Sequence, residues 1–190
     1  MNRIKTIINF PRIIPHIVFY ILSKRSRILI NSDLNARPQY QNAPLPEDAL
    51  MITRLSDVIV NEPEFRNIFY KRIGAPRHIL NLLLPQISSM RLPLVIGKGF
   101  CPIHSYSTII NGGAKIGQNC TIYHSVTIAV EKSGVPSIGN NVIIGAGAII
   151  MGGITIGNDV KIGAGAIVVD NVPDNSTVVC QKARIIPATK

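Results

Sequence analysis

Two histidines in the second half of the chain, His104 and His124, are the side chains there that are best suited to proton transfer. Imidazole is the usual general base for a hydroxyl group because it titrates near neutrality, and such a base contributes about 10²–10⁴-fold in rate. His104 interrupts a strict hydrophobic pattern, and exceptions of this kind are expected at functional sites. We therefore predict that His104 is a catalytic base. His124 should face outward, where it would meet substrate, a neighbouring subunit or solvent.

The other reactive residue types do not form a metal or nucleophile motif. The three cysteines, Cys101, Cys120 and Cys180, are odd in number and widely spaced, which predicts neither a disulfide framework nor a zinc motif. A zinc site of the carbonic anhydrase type needs three histidines, and only His104 and His124 lie in the repeats described next. We therefore expect no metal at the site.

The element that must position these histidines is a repeat of six residues. Ile or Val recurs at this spacing in two runs separated by one step of ten: Ile110, Ile116, Ile122, Ile128, then Ile138, Ile144, Ile150, Ile156, Ile162 and Val168. A period of six fits neither an α-helix nor an ordinary strand. Three hexads form one triangular coil of a parallel β-helix, with the aliphatic side chains stacked inside.

Two interruptions of the repeat mark candidate functional positions. Residues 129–137 add four residues to one hexad, which predicts a short loop. Counting forward by six from Ile96 places Pro102 at an inward position. Counting back by six from Ile110 places His104 at an inward position instead. The register therefore slips by two residues between 96 and 110, next to the histidine.

Residues 1–95 follow different rules and predict a helical region. They hold 13 of the 20 Lys and Arg residues and only one of the 15 glycines. Apolar residues at helical spacing predict one helix around residues 50–59, a second that begins near Pro63 and ends at Gly74, and a short third over 78–84. Residues 31–46 are polar and rich in turn formers, which predicts a linker.

The net charge of +10 favours an anionic partner. A nucleic acid is not expected, because the sequence lacks aromatic stacking platforms and nucleic-acid-binding motifs. The apolar run over residues 13–22 contains Pro15, has no cleavage site and is too short to span a bilayer, so we expect a cytoplasmic protein. Six cations precede Asp33, the first acidic residue. This segment is either a helix docked on its own protein or a neighbouring subunit, or one that lies on an anionic membrane surface.

The repeats also carry a resemblance to a known family. Residues 96–187 resemble the catalytic domain of bacterial serine acetyltransferases and, more closely, the acetyltransferases of exopolysaccharide biosynthesis of the colanic-acid type. The segments that carry it are IGKGFCPIHSYSTIINGGAKIG (96–117), TIYHSVTIA (121–129), IGNNVIIGAGAIIMGGITIGNDVKIGAGAIVV (138–169) and VPDNSTVVCQKARII (172–186). The segment around His104 and the closing one are more specific than the repeats, which identify only the hexapeptide superfamily.

The resemblance implies a mainly β protein: a left-handed parallel β-helix of hexapeptide repeats over 96–190, preceded by a short α-helical region over 1–95. It implies an O-acetyltransferase that uses acetyl-CoA as co-substrate, assembled as a homotrimer with active sites between adjacent prisms. His104 falls on the catalytic histidine, which deprotonates the acceptor for direct attack on the thioester. Positions that border the pantetheine arm or the phosphates of CoA fall on Ala129, Ala146, Ala164, Lys182 and Arg184.

Two departures from the serine acetyltransferases bear on the acceptor. An Asp that precedes the catalytic histidine in that family is Ile103 here, and a second histidine in the loop is Val135. Those groups help to hold serine and to orient the base, so a sugar hydroxyl in capsule or exopolysaccharide assembly is the better prediction. The alternatives are serine O-acetylation for cysteine biosynthesis and, outside enzymes, a non-catalytic scaffold.

Overall fold

The computed structural model describes residues 9–40 and 48–181, the side chains of residues 48–50 excepted. The first part of this range is helical and the second consists of short strands. The helices are α1 (Phe10–Leu22), α2 (Lys24–Asn35), α3 (Asp48–Asn61), α4 (Pro63–Ile73) and α5 (Arg77–Leu83).

Thirteen strands of two or three residues follow the helices in the described chain. They are β1 (Val95–Ile96), β2 (Cys101–Pro102), β3 (Ile109–Ile110), β4 (Lys115–Ile116), β5 (Thr121–Ile122), β6 (Thr127–Ala129), β7 (Ser137–Ile138), β8 (Ile143–Ile144), β9 (Ile149–Met151), β10 (Thr155–Ile156), β11 (Lys161–Ile162), β12 (Ile167–Val168) and β13 (Thr177–Val178). Sheet A contains β3, β6, β9 and β12, sheet B contains β1, β4, β7 and β10, and sheet C contains the other five. Up to β12, strands that follow one another along the chain enter different sheets, and the strands paired within each sheet are parallel. The predicted parallel β-helix is confirmed.

The interior of the β-helix is built by the six-residue repeat. All ten aliphatic positions of the repeat are buried, with at most 5% of the side chain exposed. Strand pairing places them in layers, for example Ile116 beside Ile138 and Ile122 beside Ile144. Full burial of one such side chain contributes about 1.5–3 kcal/mol, so the stacked layers are the main source of stability in this half.

Glycine allows neighbouring coils to approach closely at two corners of the prism, after sheet B at Gly139 and after sheet C at Gly145. A Cβ atom on Gly139 would lie 2.6 Å from the carbonyl oxygen of Gly157 in the next coil, and one on Gly145 would lie 2.6 Å from the amide nitrogen of Ala164. No side chain fits at such distances, so glycine is required there by backbone contact.

Strand pairing shows where the register slip between residues 96 and 110 occurs. Pro102 pairs with Ile122 and Ile110 pairs with Ile128, so the forward count from Ile96 holds as far as Pro102. The two additional residues therefore lie between 102 and 110. The backward count, which placed His104 inward, is wrong: His104 is exposed, in a bulge outside the prism.

The helical predictions hold for α3, α4 and α5, and the linker prediction fails at its start. Pro63 opens α4, and Gly74, with a φ of 75°, follows its last residue. Residues 31–35 belong to α2 rather than to a linker, because Ile30 and Leu34 are buried one turn apart on the same helix face. The part of the predicted linker over 41–46 lies outside the described residues.

A buried ion pair joins the helices to the first coil of the β-helix. Arg72 of α4 donates from Nε and Nη2 to the carboxylate of Asp33 on α2, at 2.8 and 3.1 Å. The same guanidinium donates to the carbonyl oxygens of Ile96 and Gly97, at 2.9 and 2.6 Å. Asp33 in turn accepts a hydrogen bond from the amide of Phe100 at 2.9 Å. These contacts fix the base of the β-helix against α2 and α4.

Helix α1 packs on the other helices with one face and exposes another. Ile13, His16 and Tyr20 are buried, and Nε2 of His16 lies 2.9 Å from the hydroxyl oxygen of Tyr70. This face of α1 therefore docks on the other helices of the same chain, as the first of the two alternatives predicted. In the described parts of the chain, no helix combines the length and the apolar character that crossing a bilayer requires.

Candidate functional site

One edge of the prism, between sheets C and A, collects most of the predicted site residues; we call it the His104 edge. Each coil turns here through two residues between a strand of sheet C and a strand of sheet A. The first residues of these turns in successive coils are Tyr106, His124, Ala146 and Ala164. Their carbonyl oxygens bind the next coil: Ser125, Gly147 and Gly165 donate from the backbone to Tyr106, His124 and Ala146 at 2.9, 2.9 and 2.8 Å. The four side chains therefore form a row spaced at about 4.8 Å.

His104 lies in the two-residue bulge just before this row begins. Its φ of 47° is in the left-handed region, as it is at the turns of other coils, for example Ser125 with a φ of 57°. The neighbours of His104 hold the bulge in place. Ser105 is buried and donates from Oγ to the carbonyl oxygen of Ile122 at 2.9 Å, and the amide of Ile103 donates to the same oxygen at 2.9 Å. The amide of Tyr106 donates to the carbonyl of His104 at 2.7 Å.

The imidazole of His104 projects outward from this braced backbone. Within the described parts of the chain, neither ring nitrogen has a hydrogen-bond partner, and the residue before it, Ile103, is apolar. Both nitrogens therefore face the space outside the prism. A base in this position is open to a molecule that lies along the edge.

The rest of the His104 edge is a shallow ledge. His124 is exposed, and beyond it Ala146 and Ala164 present only methyl groups. A narrow chain can lie flat against Ala146 and Ala164, because neither residue has a long side chain. The structure places both alanines at the same edge as His104.

Ala129 lies at a different edge, between sheets A and B. It ends β6 and pairs with Met151, just before the chain leaves the prism over 130–136. That loop is closed by two hydrogen bonds between the backbones of Glu131 and Gly134, at 2.9 and 3.0 Å. Ser133 Oγ accepts a hydrogen bond from the amide of Gly153 at 3.0 Å. Within one chain the structure therefore does not bring Ala129 together with His104. Lys182 and Arg184 lie outside the described residues.

The outer face of sheet A separates these two edges and presents Ile109, Thr127, Ile149 and Ile167 at its outward positions. Ile109 and Ile167 are 52% and 65% exposed, and Ile149 is half-buried between their strands. Sheet B, by contrast, presents Lys115, Ser137 and Thr155 at the equivalent outward positions.

Tyr106 is a site residue that sequence reasoning missed. It is half-exposed and occupies the position of His124 one coil earlier. The sequence contains an indication of this match, because Tyr106 and His124 are 18 positions apart and one coil of three hexads contains 18 residues. The uncertain register between Ile96 and Ile110 prevented its use. The described residues contain no cluster of three or more His, Cys, Asp or Glu side chains that could hold a metal ion.

Comparisons with known proteins agree with this geometry. Residues 136–170 match the family model described as bacterial transferase hexapeptide (six repeats). A relative from Escherichia coli K12, named "Putative colanic acid biosynthesis acetyltransferase WcaB", is 46% identical over 126 residues, which cover 63% of this chain and 78% of the relative. The serine acetyltransferase of Helicobacter pylori strain 26695 is 41% identical over 95 residues, or 48% of this chain and 56% of that enzyme.

Solved structures of serine acetyltransferases are similar over most of the chain. Isoform 3 from Entamoeba histolytica, in complex with cysteine, has a TM-score of 0.67 at 25% identity; the match covers 87% of this chain and 62% of that one. The Neisseria gonorrhoeae enzyme, in complex with serine, has a TM-score of 0.66 at 26% identity and coverages of 88% and 71%. The similarity thus extends over the helices as well as the repeats. From its repeats, its coils and these relatives, the chain belongs to the hexapeptide-repeat family of acetyltransferases.

Proposed function

We propose that the protein transfers the acetyl group of acetyl-CoA to a hydroxyl group of a sugar during capsule or exopolysaccharide assembly. The observation that carries this proposal is the exposed imidazole of His104, held on a braced bulge at the start of a row that runs through Tyr106 and His124 to the small residues Ala146 and Ala164. The relative named for colanic acid biosynthesis supports a polysaccharide acceptor, since its match is both longer and higher in identity than that of the Helicobacter pylori serine acetyltransferase.

In the proposed reaction, His104 accepts the proton of the acceptor hydroxyl as its oxygen attacks the thioester carbonyl. The tetrahedral intermediate then expels the CoA thiolate, which takes up a proton, and the products are the acetyl ester and CoA. No acyl-enzyme is formed in this scheme. Burial makes two of the thiols poor nucleophiles, because it raises the pKa of Cys101 and raises that of Cys120 to about 11, and only a thiolate is a good nucleophile.

The cofactor would lie along the small residues of the prism. Ala146 and Ala164 would border the pantetheine arm on the His104 edge, and His124 would contact the acceptor beside them. Lys182 and Arg184 would meet the phosphates of CoA. Ala129 belongs to the opposite edge of sheet A, so it would serve the site of a neighbouring subunit.

A homotrimer is part of the same proposal. The exposed isoleucines on sheet A, Ile109 and Ile167, form an apolar face that a second prism would cover. Packing of three prisms would bring the loop edge of one chain beside the His104 edge of the next. Each site would then contain residues from two chains.

The second candidate function is O-acetylation of L-serine, favoured by the solved structures of serine acetyltransferases. Ile103 and Val135 weigh against it, because neither offers a charged group to the ammonium or carboxylate of serine. We expect the purified protein to release CoA from acetyl-CoA when nucleotide-linked or lipid-linked glycans are added, with little release when L-serine is added. A thiol-reactive dye measures the CoA. Efficient release with L-serine alone would contradict the proposed acceptor.

We also propose that the protein works at the anionic inner surface of the membrane. Helix α1 exposes an apolar stripe on Phe10, Ile14, Val18 and Ile21, each 44–55% exposed. Basic residues flank the stripe at Arg12 and at the start of α2, and the sequence contains no acidic residue before Asp33. The cations that flank two such stripes would repel each other, whereas an anionic lipid surface would attract both the charges and the apolar side chains.

Vesicle binding tests this contact. We expect the protein to float with vesicles that contain phosphatidylglycerol and not with pure phosphatidylcholine vesicles, with weaker binding at high salt. The variant Ile14→Glu/Val18→Glu should reduce the bound fraction at least about tenfold, since it removes two apolar contacts from the lipid interface. Val179→Glu, at another exposed apolar position, is the matched control. Equal binding of both variants would exclude α1 as the contact.

A further inference from the structure

A cleft lies where the helices meet the base of the β-helix, away from the row of small residues. Its volume is about 440 Å³, within the range of small-molecule sites. Lys71 in the last turn of α4, Arg77 at the start of α5 and Arg91 next to sheet A line its walls. Gln86 and Ser88 contribute neutral polar groups between them.

The cleft concentrates positive charge without a balancing acid. No carboxylate is among the residues that line it. The two ion pairs found in the described chain, Arg37 with Glu62 and Arg72 with Asp33, involve none of its three cations. Burial lowers the pKa of Lys71, and the neighbouring charges of Arg72 and Arg77 lower it further. Cations that face one space repel each other, so this arrangement favours an anion between them.

The walls that carry these cations are held by backbone and buried side-chain contacts. Asn67, which is buried in α4, uses both ends of its amide on the segment that carries Ser88. Its nitrogen donates to the carbonyl oxygens of Ile87 and Met90 at 2.9 and 3.1 Å, and its oxygen accepts from the amide of Ile87 at 2.8 Å. The amide of Arg91 donates to the carbonyl of Thr108 at 3.0 Å. Because the backbone that carries Arg91 is held in place, less entropy is lost when its side chain binds an anion.

The cleft is connected to the His104 edge through one strand. Arg91 pairs in parallel with Ile109, the first residue of β3. The turn that leads into β3 carries Tyr106, and the bulge with His104 lies directly before it. Ile110 and Gly112 place the cleft at the end of β3 away from His104, so an acceptor that touches both would have to extend along the length of this strand.

We propose that this cleft binds the phosphate or diphosphate group of the acceptor, an inference that rests on the proposed sugar acetyltransferase function. Activated sugars carry such groups, whether the sugar is linked to a nucleotide or to a lipid. Arginine suits this ligand because its planar guanidinium donates two parallel hydrogen bonds to phosphate oxygens. Anchoring the phosphate here fixes which part of the sugar reaches His104.

Calorimetric titration of the full-length protein tests the site without acetyl transfer. The probe is inorganic pyrophosphate, with uridine diphosphate and farnesyl diphosphate as two further ligands. We expect Arg77→Ala and Arg91→Ala each to weaken pyrophosphate binding about tenfold or more, because each removes a charge-assisted hydrogen bond. Lys115→Ala and Lys161→Ala, at exposed cations on sheets B and C, should leave it unchanged. The affinity for CoA should be unaltered in all four variants.

Each outcome of this titration decides the proposal. Tighter binding of uridine diphosphate than of pyrophosphate would support a nucleotide-linked acceptor, and tighter binding of farnesyl diphosphate a lipid-linked one. Pyrophosphate affinity that is absent, or that does not change in the arginine variants, would overturn the proposal. So would a parallel loss of CoA affinity, because the cleft would then belong to the cofactor. Failure of sugar acetylation with pyrophosphate binding intact would instead overturn the proposed function alone.

Discussion

Replacement of His104 by asparagine is expected to lower kcat for acetyl transfer about 10²–10⁴-fold, the range that a positioned general base contributes. The expectation rests on geometry: the imidazole projects from the His104 edge, and among the described residues nothing else competes for its ring nitrogens. Asparagine cannot accept the acceptor proton, yet it tolerates the left-handed φ of 47° at this position. The substitution therefore removes the base and keeps the bulge.

The measurement is the initial rate of CoA release with a glycan acceptor that the unchanged protein uses. His78→Asn is the matched control, because His78 is an exposed histidine on α5 outside both the His104 edge and the proposed machinery. It should retain full activity. The binding affinity for CoA should stay the same in His104→Asn, since the imidazole acts on the acceptor. Full activity of His104→Asn would remove His104 from the mechanism.

A second variant separates chemistry from folding at this position. Alanine fits the left-handed region less well than asparagine, at a cost of about 1–2 kcal/mol. His104→Ala should therefore be as inactive as His104→Asn but less stable in urea. If activity followed stability across the two variants instead, the loss would come from the bulge and not from the missing base.

The β-helix was predictable from sequence because its rule is local. An aliphatic side chain recurs every six residues from Ile110 to Ile128 and again from Ile138 to Val168, and all ten of these side chains are buried. The direction of His104 was not predictable in the same way. The repeat shows that two extra residues are inserted between Ile96 and Ile110. Only the pairing of Pro102 with Ile122 shows that the insertion follows Pro102.

The placement of the other site residues also depends on information beyond the pattern. The corner of the triangle that a residue occupies follows from the number of hexads before it, and the two irregular steps in the repeat disturb that count. The sequence alone therefore does not show that Ala129 and Ala146 lie at different edges. The linker predicted over 31–46 is wrong at its start for a different reason. The last turn of α2 contains Asp33, which is polar in sequence but buried in the structure because Arg72, 39 residues later, neutralises it.

Replacement of Arg72 by methionine is expected to lower the free energy of unfolding by about 3–5 kcal/mol, because it leaves a buried carboxylate without its counter-ion. Asp33 is fully buried and would keep only backbone donors, among them the amide of Phe100. The loss would also release α2 and α4 from the carbonyls of Ile96 and Gly97. Urea unfolding at one fixed protein concentration measures the effect.

Two comparisons identify the cause of that loss. Arg25→Met removes an exposed cation from α2 and should change the free energy of unfolding by no more than about 0.5 kcal/mol. The double variant Asp33→Asn/Arg72→Met should be more stable than Arg72→Met, since its buried amide carries no charge. If the double variant were no more stable, packing of the arginine side chain would explain the loss rather than charge.

The pH dependence of these variants provides the sharpest test of the buried charge. Burial raises the pKa of Asp33 above its ordinary value of 3.8, while the hydrogen bond and charge of Arg72 lower it, so removal of Arg72 raises this pKa further. A carboxyl group whose folded pKa is raised binds its proton more tightly in the folded state. Its stability contribution is therefore present at acid pH and is lost as pH rises through the folded pKa. The stability gap between Arg72→Met and the double variant should thus be smallest near pH 4, widen as pH rises, and then level off. A gap that stays constant with pH would show that Asp33 does not ionise in the folded protein.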